Sequence, residues 1–341
     1  MQSPRVIVSL LLSVLLFVVS VPPAHAQTHA QTVDPLVHEI ELDAPVAVVW
    51  NLFATAEGYQ RWAAPKATID LKIGGAIRSS YDPNSTLHDD ATIVNTILSY
   101  VPQRMLAFHC TQAPEGFPFA EAIRETWSVV FFEPLEEDRT RLTIIGLGYT
   151  ESPESQAMRN YFEGANAGLL EVMRTLVGGA ERPPAPSRRP ASIELGVTIR
   201  AAAKDVWRTW STDAGAKGVL APDTNIQPRI GGPFELFFLP EPVDGQRGSD
   251  GCTVLVHVPG RMISFSWNAP PSFPHVRHMR TWVVVTMTEK DGTMELRLTH
   301  LGFDELKAAH PEHAEEIDAA REYLRRAWPS MLERTKAHLE Q

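Results

Sequence analysis

The sequence predicts an α+β protein made of two tandem copies of one domain, each an antiparallel sheet with one long helix packed along its face. Three observations carry this. The chain repeats itself when Trp50 is laid on Trp207, a shift of 157. Short alternating segments separated by turn residues recur in the same order within each copy. Each copy then ends in an apolar stripe at helical spacing.

In that one frame Ala64-Pro65 falls on Ala221-Pro222, and Ile73-Gly74-Gly75 on Ile230-Gly231-Gly232. Val101-Pro102-Gln103-Arg104-Met105 falls on Val258-Pro259-Gly260-Arg261-Met262. Small deletions then bring Thr126-Trp127 onto Thr281-Trp282, and Leu147-Gly148-Tyr149 onto Leu301-Gly302-Phe303. A period of about 150 residues is too long for a solenoid and suits a domain with its own core. Each copy is therefore expected to fold alone.

The elements follow in order. Residues 1–26 read as a secretory signal: Arg5, an apolar stretch from Val6 to Val21, then Ala24-His25-Ala26 as a small-residue cleavage site. The mature chain is expected to be exported, periplasmic or secreted, with no further membrane span. The first copy occupies residues 36–178 and the second 191–341, with a Pro-rich linker at 179–190 that neither a helix nor a central strand accommodates. Each copy opens with an alternating strand, Ile40–Asp43 or Val197–Arg200, and a short helix around Trp50 or Trp207.

The following strands are Ile77–Tyr81, Ala91–Leu98, Met105–Cys110, Thr126–Phe132 and Arg141–Ile145 in the first copy. The second gives Phe234–Phe238, Thr253–Val258, Met262–Trp267, Thr281–Thr288 and Met294–His300. The closing helices carry Phe162, Ala165, Leu169, Met173 and Leu176 in one copy, and Leu324, Ala327, Trp328, Met331, Thr335 and Leu339 in the other. The glycine pairs mark a tight bend or bulge, where a Cβ would clash.

Composition narrows the function. A net charge of −10 argues against nucleic acid, which needs a basic face. The two cysteines, Cys110 and Cys252, sit at non-equivalent positions and read as free thiols. No Gly-x-Ser-x-Gly elbow, phosphate-binding Gly loop, His-Glu-x-x-His or Cys-x-x-Cys is present, and no cofactor is expected. His275 with His278, and His310 with His313, lack a convincing third ligand, so no metal site is assigned. Trp50, Trp62, Trp207 and Trp210 read as packing or rim residues, and Arg124 with Glu125 as a solvated pair on a strand.

Order and motifs together resemble a known family. Arg261-Met262-Ile263-Ser264-Phe265-Ser266-Trp267, Leu298-Thr299-His300-Leu301-Gly302-Phe303 and the Trp328 helix are similar to the C-terminal homology domain of the activator of the heat-shock-protein-90 ATPase, within the SRPBCC (START-like, helix-grip) superfamily. The first copy departs from that pattern, with Cys110, Gly146 and Asn166 in place of Trp267, His300 and Trp328. The resemblance implies a curved sheet gripping the helix, with an often apolar cavity between them. It leaves activity open, since binders, lipid carriers, cyclases and co-chaperones share the fold.

Strand alternation then names the candidate lining. In the second copy it is Phe234, Leu236, Phe238, Ile263, Phe265, Trp267, Leu296, Leu298 and His300, with Trp328 and Met331 from the helix. In the first it is Ile77, Leu106, Phe108, Cys110, Leu142 and Ile144, with Met173. Ligand binding is assigned to Phe234, Leu236, Phe265, Trp267, Leu298, His300, Trp328, Met331, Phe108 and Met173. The second copy is expected to be the principal site for a small apolar or amphipathic molecule, because it keeps aromatic walls and one convergent polar group. No catalytic residue is assigned. The alternative is an enzyme of cyclase, hydratase or hydrolase type using His300, and behind it a co-chaperone-like interaction module, which an export signal disfavours.

Overall fold

A computed structural model describes residues 33–178, 191–239 and 245–341. The signal segment and the linker expected at 179–190 lie outside the described residues. The first copy runs β1 (Leu36–Leu42), α1 (Val46–Ala54), α2 (Ala56–Gln60), β2 (Lys66–Ile69), β3 (Ala76–Ser80), β4 (Ile93–Val101), β5 (Met105–Gln112), β6 (Trp127–Glu136), β7 (Arg139–Leu147) and α3 (Pro153–Val177). Its strands form one antiparallel sheet in the order β1-β7-β6-β5-β4-β3-β2. The second copy runs β8 (Ile193–Ile199), α4 (Ala203–Ser211), α5 (Asp213–Ala216), β9 (Asp223–Ile226), β10 (Phe234–Phe237), β11 (Val254–Val258), β12 (Met262–Trp267), β13 (Thr281–Lys290), β14 (Thr293–Leu301), α6 (Phe303–Ala309) and α7 (Ala314–Leu339). Here the sheet divides into β11-β12-β13-β14-β8 and the hairpin β10-β9.

Both copies are thus curved antiparallel sheets packed against a long C-terminal helix. The curvature has a local cause in each. The amide of Gly74 donates to the Ile97 carbonyl at 2.9 Å and that of Ile97 donates to Gly75 at 2.8 Å; Gly231, Val254 and Gly232 repeat the exchange at 2.8 Å each way. Gly74 and Gly231 both have φ +74°, which L side chains resist. The second glycine of each pair is needed for room: a Cβ on Gly75 would meet the Asp70 carbonyl at 2.1 Å, and one on Gly232 the Gln227 carbonyl at 2.5 Å. Register shifts between Val94 and Asn95, and between Val254 and Val256, add bulges beside these corners.

Some expectations are corrected in detail. Phe238 lies past the end of β10 and is exposed, not inward. Arg124 and Glu125 belong to a 3-10 turn rather than a strand. One feature lies outside the expectations from sequence: the outer faces of the two sheets cover each other.

Alternation in the second copy separates two sets cleanly. Ile263, Phe265, Val283 and Val285 belong to its own core, under α7. Met262, Trp282 and Val284 join the core of the first copy, with Val256, Val258 and Leu301. Strand β12 is therefore buried at every position, and β13 from Thr281 to Val285. Strands covered on both sides read as continuous apolar runs, which explains Trp282-Val283-Val284-Val285.

The contact is isologous in kind, as in a two-fold dimer. The Trp282 indole N–H donates to the Tyr100 carbonyl at 2.9 Å, and the Trp127 N–H donates to the His257 carbonyl at 3.1 Å. In the repeat frame Trp127 corresponds to Trp282 and Tyr100 to His257, so each bond is the image of the other. The Tyr100 and Trp282 rings lie 5.0 Å apart, and those of Trp127 and His257 5.3 Å. Ser99 and Ser264 share a buried hydrogen bond of 2.7 Å, and Arg261 lies over the Phe131 ring at 4.1 Å.

Candidate functional site

The space between sheet and helix differs sharply between the copies. In the second it is filled. Phe234 stacks on Phe265 at 3.6 Å, and Trp267 meets Trp328 at 4.8 Å. Phe234, Leu236, Phe265, Leu298 and His300 are fully buried, and Trp267, Trp328 and Met331 are at most 5% exposed. The structure brings all eight together, but as a packed core. The void left beside them, against Met279, Phe303 and Leu324, is about 20 Å³, room for about one water.

His300 is spoken for on both nitrogens. The Trp328 N–H donates to Nδ1 at 3.0 Å, so the ring proton sits on Nε2. Nε2–H in turn donates to the Thr281 hydroxyl at 2.8 Å, and that hydroxyl donates to the Trp267 carbonyl at 3.2 Å. Every polar atom in this chain is satisfied, which is what makes it tolerable in an apolar core. Burial pushes the His300 pKa down to about 3. A neutral imidazole with both nitrogens engaged has no hydrogen-bonding position left for a guest.

The first copy is open at the equivalent place. A cavity of about 280 Å³ lies between its sheet and α3. Cys110, Gly146 and Asn166 all line it, and these are the counterparts of Trp267, His300 and Trp328. Two indoles and an imidazole are replaced by a thiol, an amide and a hydrogen. The backbone grip is the same, so the missing bulk becomes space. A Cβ on Gly146 would already lie 3.2 Å from the Tyr149 ring. The cavity is near the lower end of typical ligand sites, about 300 Å³.

Its wall is built from several elements. The helical segment supplies Phe53, Tyr59 and Trp62; strands β5 to β7 supply Phe108, Cys110, Trp127, Val130 and Ile144; α3 supplies Leu169 and Met173. Of the residues assigned from sequence, Phe108 and Met173 are therefore here. Trp62, assigned to packing or rim, is in the wall as well. The polar groups are few: Ser79, Asn95, Thr126, Ser128 and Asn166, with the hydroxyls of Tyr59, Tyr81, Tyr149 and Tyr161 and the Cys110 thiol. No lining side chain among the described residues is ionised near neutral pH. Burial raises the Cys110 thiol to about 11 and the Tyr149 hydroxyl to about 12. Tyr59 is pushed up as well, chiefly by burial, with Tyr81 nearby adding to it.

At one end of the cavity Phe117 and Phe119 pack on Tyr161 and Phe162 of α3, with ring centroids 5.3 to 6.4 Å apart. Tyr161 and Tyr81 are more than half exposed. Sequence reasoning missed this edge. Phe117 and Phe119 sit in a loop with no periodicity, and Tyr161 and Tyr81 sit beside the positions that pattern reading picks out.

His275 contacts Glu316 at 2.9 Å and stacks on His313 at 5.7 Å. Among the described residues no group of three or more potential ligands converges on a metal position. No helix among them is long and apolar enough to cross a membrane.

A family model described as "Activator of Hsp90 ATPase homolog 1-like protein" matches residues 43–178 and again 200–340. No curated protein matches. Among solved structures, the di-domain ARO/CYC BexL from the BE-7585A biosynthetic pathway is 17% identical, over 91% of this chain and 99% of that one, with a TM-score of 0.35. DynU16, described as a putative protein in the dynemicin biosynthetic locus, is 13% identical over 90% and 99%, with a TM-score of 0.33. The Aha1 dimer from Colwellia psychrerythraea is 12% identical over 44% of this chain and 100% of that one, with a TM-score of 0.35. Identities and scores this low say nothing of what this chain binds. With both copies matched over nearly their whole length, the chain belongs to the family of Activator of Hsp90 ATPase homolog 1-like proteins.

Proposed function

We propose that this protein is an exported binder of one small, uncharged, largely apolar molecule, held in the first copy between sheet and α3. The observation that carries the reading is the coincidence of the cavity with Cys110, Gly146 and Asn166, where the second copy keeps Trp267, His300 and Trp328. An apolar wall with a few amides and hydroxyls favours a neutral guest carrying one or two hydrogen-bonding groups, since burying a charge there would go uncompensated. The amides of Asn95 and Asn166 both line the cavity and would serve such a guest as donor or acceptor. Binding is favoured over acid–base catalysis because the wall offers no group that titrates near neutral pH.

The test uses phenylnaphthylamine, an uncharged dye that brightens in apolar surroundings. The full chain should bind it, and Asn166→Trp, which returns the second copy's indole to the first, should weaken binding at least tenfold. Equal binding by the variant would place the dye elsewhere and remove the reading. Native mass spectrometry of protein from its own envelope would then identify the natural guest. Export is tested separately: mature protein should begin at Gln27, and a chain retaining Val6 to Val21 would refute it.

A further inference from the structure

Trp127 is the one residue that both lines the cavity and makes an image-related bond across the two sheets. One side of its indole is packed against the main chain of its own copy: Gly148, with φ +84°, leaves only 2.9 Å between a would-be Cβ and Trp127 Cζ3. Two further contacts come from the other copy. The N–H is accepted by the His257 carbonyl at 3.1 Å, and the His257 ring stands edge-on at 5.3 Å and 76°. His257 itself does not line the cavity. Its Nδ1 is buried with no hydrogen-bond partner among the described residues, and the imidazole's polar contact is with the Pro228 backbone, away from the indole.

We propose that the second copy is a positioning element of the first copy's site: the main-chain carbonyl of His257 anchors the Trp127 N–H and the His257 ring braces the indole edge, so ligand affinity depends on a residue 130 positions away that does not touch the ligand. An aromatic wall contributes only if its ring is held in place, because an indole free to swing loses contact area and ordering entropy on binding. The image pair, Tyr100 and Trp282, is an internal control. It makes the same bond and a ring contact at a similar distance, 5.0 Å though tilted at 44°, yet neither residue lines this cavity. The inference rests on the binding reading above for its effect on affinity, and on the structure alone for the effect on the indole.

The experiment keeps those two apart. His257→Ala, His257→Phe and Trp282→Phe are made in the full chain. Two quantities are measured: phenylnaphthylamine affinity, and solvent exchange of the Trp127 indole N–H by NMR, the signal assigned by its loss in Trp127→Phe. His257→Ala keeps the carbonyl that accepts the indole N–H but removes the ring that braces it, so it should weaken the dye at least fivefold and speed exchange of that proton at least threefold. His257→Phe should restore most of both, because it keeps the aromatic edge against the indole, although it gives up the contact with the Pro228 backbone. Trp282→Phe should leave both within twofold. Wild-type exchange in His257→Ala overturns the proposal. So does a Trp282→Phe variant that weakens the dye as much as His257→Ala, since the effect would then belong to the interface as a whole. If the wild type takes no dye, the binding reading falls and the exchange rates still decide the positioning role. Should His257→Ala fail to fold, His257→Leu replaces it, keeping bulk without the ring edge, with the same expected and overturning results.

Discussion

Lowering the pH should unload a specific increment of stability through His300. Its pKa is about 3 in the folded chain against 6.5 for a free imidazole, with burial as the cause. Between those values only the unfolded chain takes up the proton, so the unfolded state is favoured as pH falls. The sign follows: the contribution is complete above pH 6.5 and is lost progressively down to about 3. One pKa unit is worth about 1.4 kcal/mol, so the whole window is of the order of 5 kcal/mol. Down to pH 5 alone the loss is about 2 kcal/mol, a large part of a typical net stability. The assay is urea unfolding of the full chain and of His300→Gln at pH 7.5, 6 and 5, followed by tryptophan emission. His300→Gln starts less stable, because a flexible amide loses the ring's packing on Phe303 and Trp328. What decides is its slope, since carboxylates and the other histidines titrate in both proteins and cancel in the difference. The wild type should lose about 2 kcal/mol more than the variant between pH 7.5 and 5. Parallel curves would mean that His300 takes its proton without unfolding, and that the buried Trp328–His300–Thr281 chain is not as closed as its distances indicate.

Gly232→Val should destabilise the fold by roughly 1–3 kcal/mol, because its Cβ meets the Gln227 carbonyl where the chain exchanges bonds with Val254; a cost near zero in urea would refute the corner's steric role. Ser264→Asp should cost about 3–5 kcal/mol by stranding a carboxylate between the sheets opposite Ser99, and a change within 0.5 kcal/mol would show that this face is not dry. Cys110, its thiol raised from 9 to about 11, should react with a thiolate-selective reagent at pH 8 about 100-fold more slowly than free cysteine, and comparable rates would mean that the cavity solvates it.

How much of this could be read beforehand depends on the range of the interaction. The duplication, the glycine corners and the two closing helices were legible because each is a local pattern: a frame, a φ +74° turn, an apolar stripe. The back-to-back sheets were not, although a trace was there. Trp282-Val283-Val284-Val285 has no polar alternate, which a half-solvated strand would show. The site was half legible. The three positions that distinguish the copies, Cys110, Gly146 and Asn166 against Trp267, His300 and Trp328, were identified. Aromatic residues were weighed as walls for a guest, whereas at close range they occupy the guest's place. Tyr59, Tyr149 and Tyr161 went unassigned because their part in the cavity depends on how α3 crosses the sheet, which no spacing within the chain encodes.

The image-related bonds of Trp127 and Trp282 have one more implication. When two separate but identical chains meet across a two-fold axis, any change made in one is made in both, so such an assembly has two open cavities or none. Joining the halves into a single polypeptide lifts that restriction. One half is free to be hollowed while the other is plugged, and the hollow half keeps a rigid, permanently attached neighbour at its back. The pairing geometry belongs to a symmetric object; the division of labour across it is available only to a fused one.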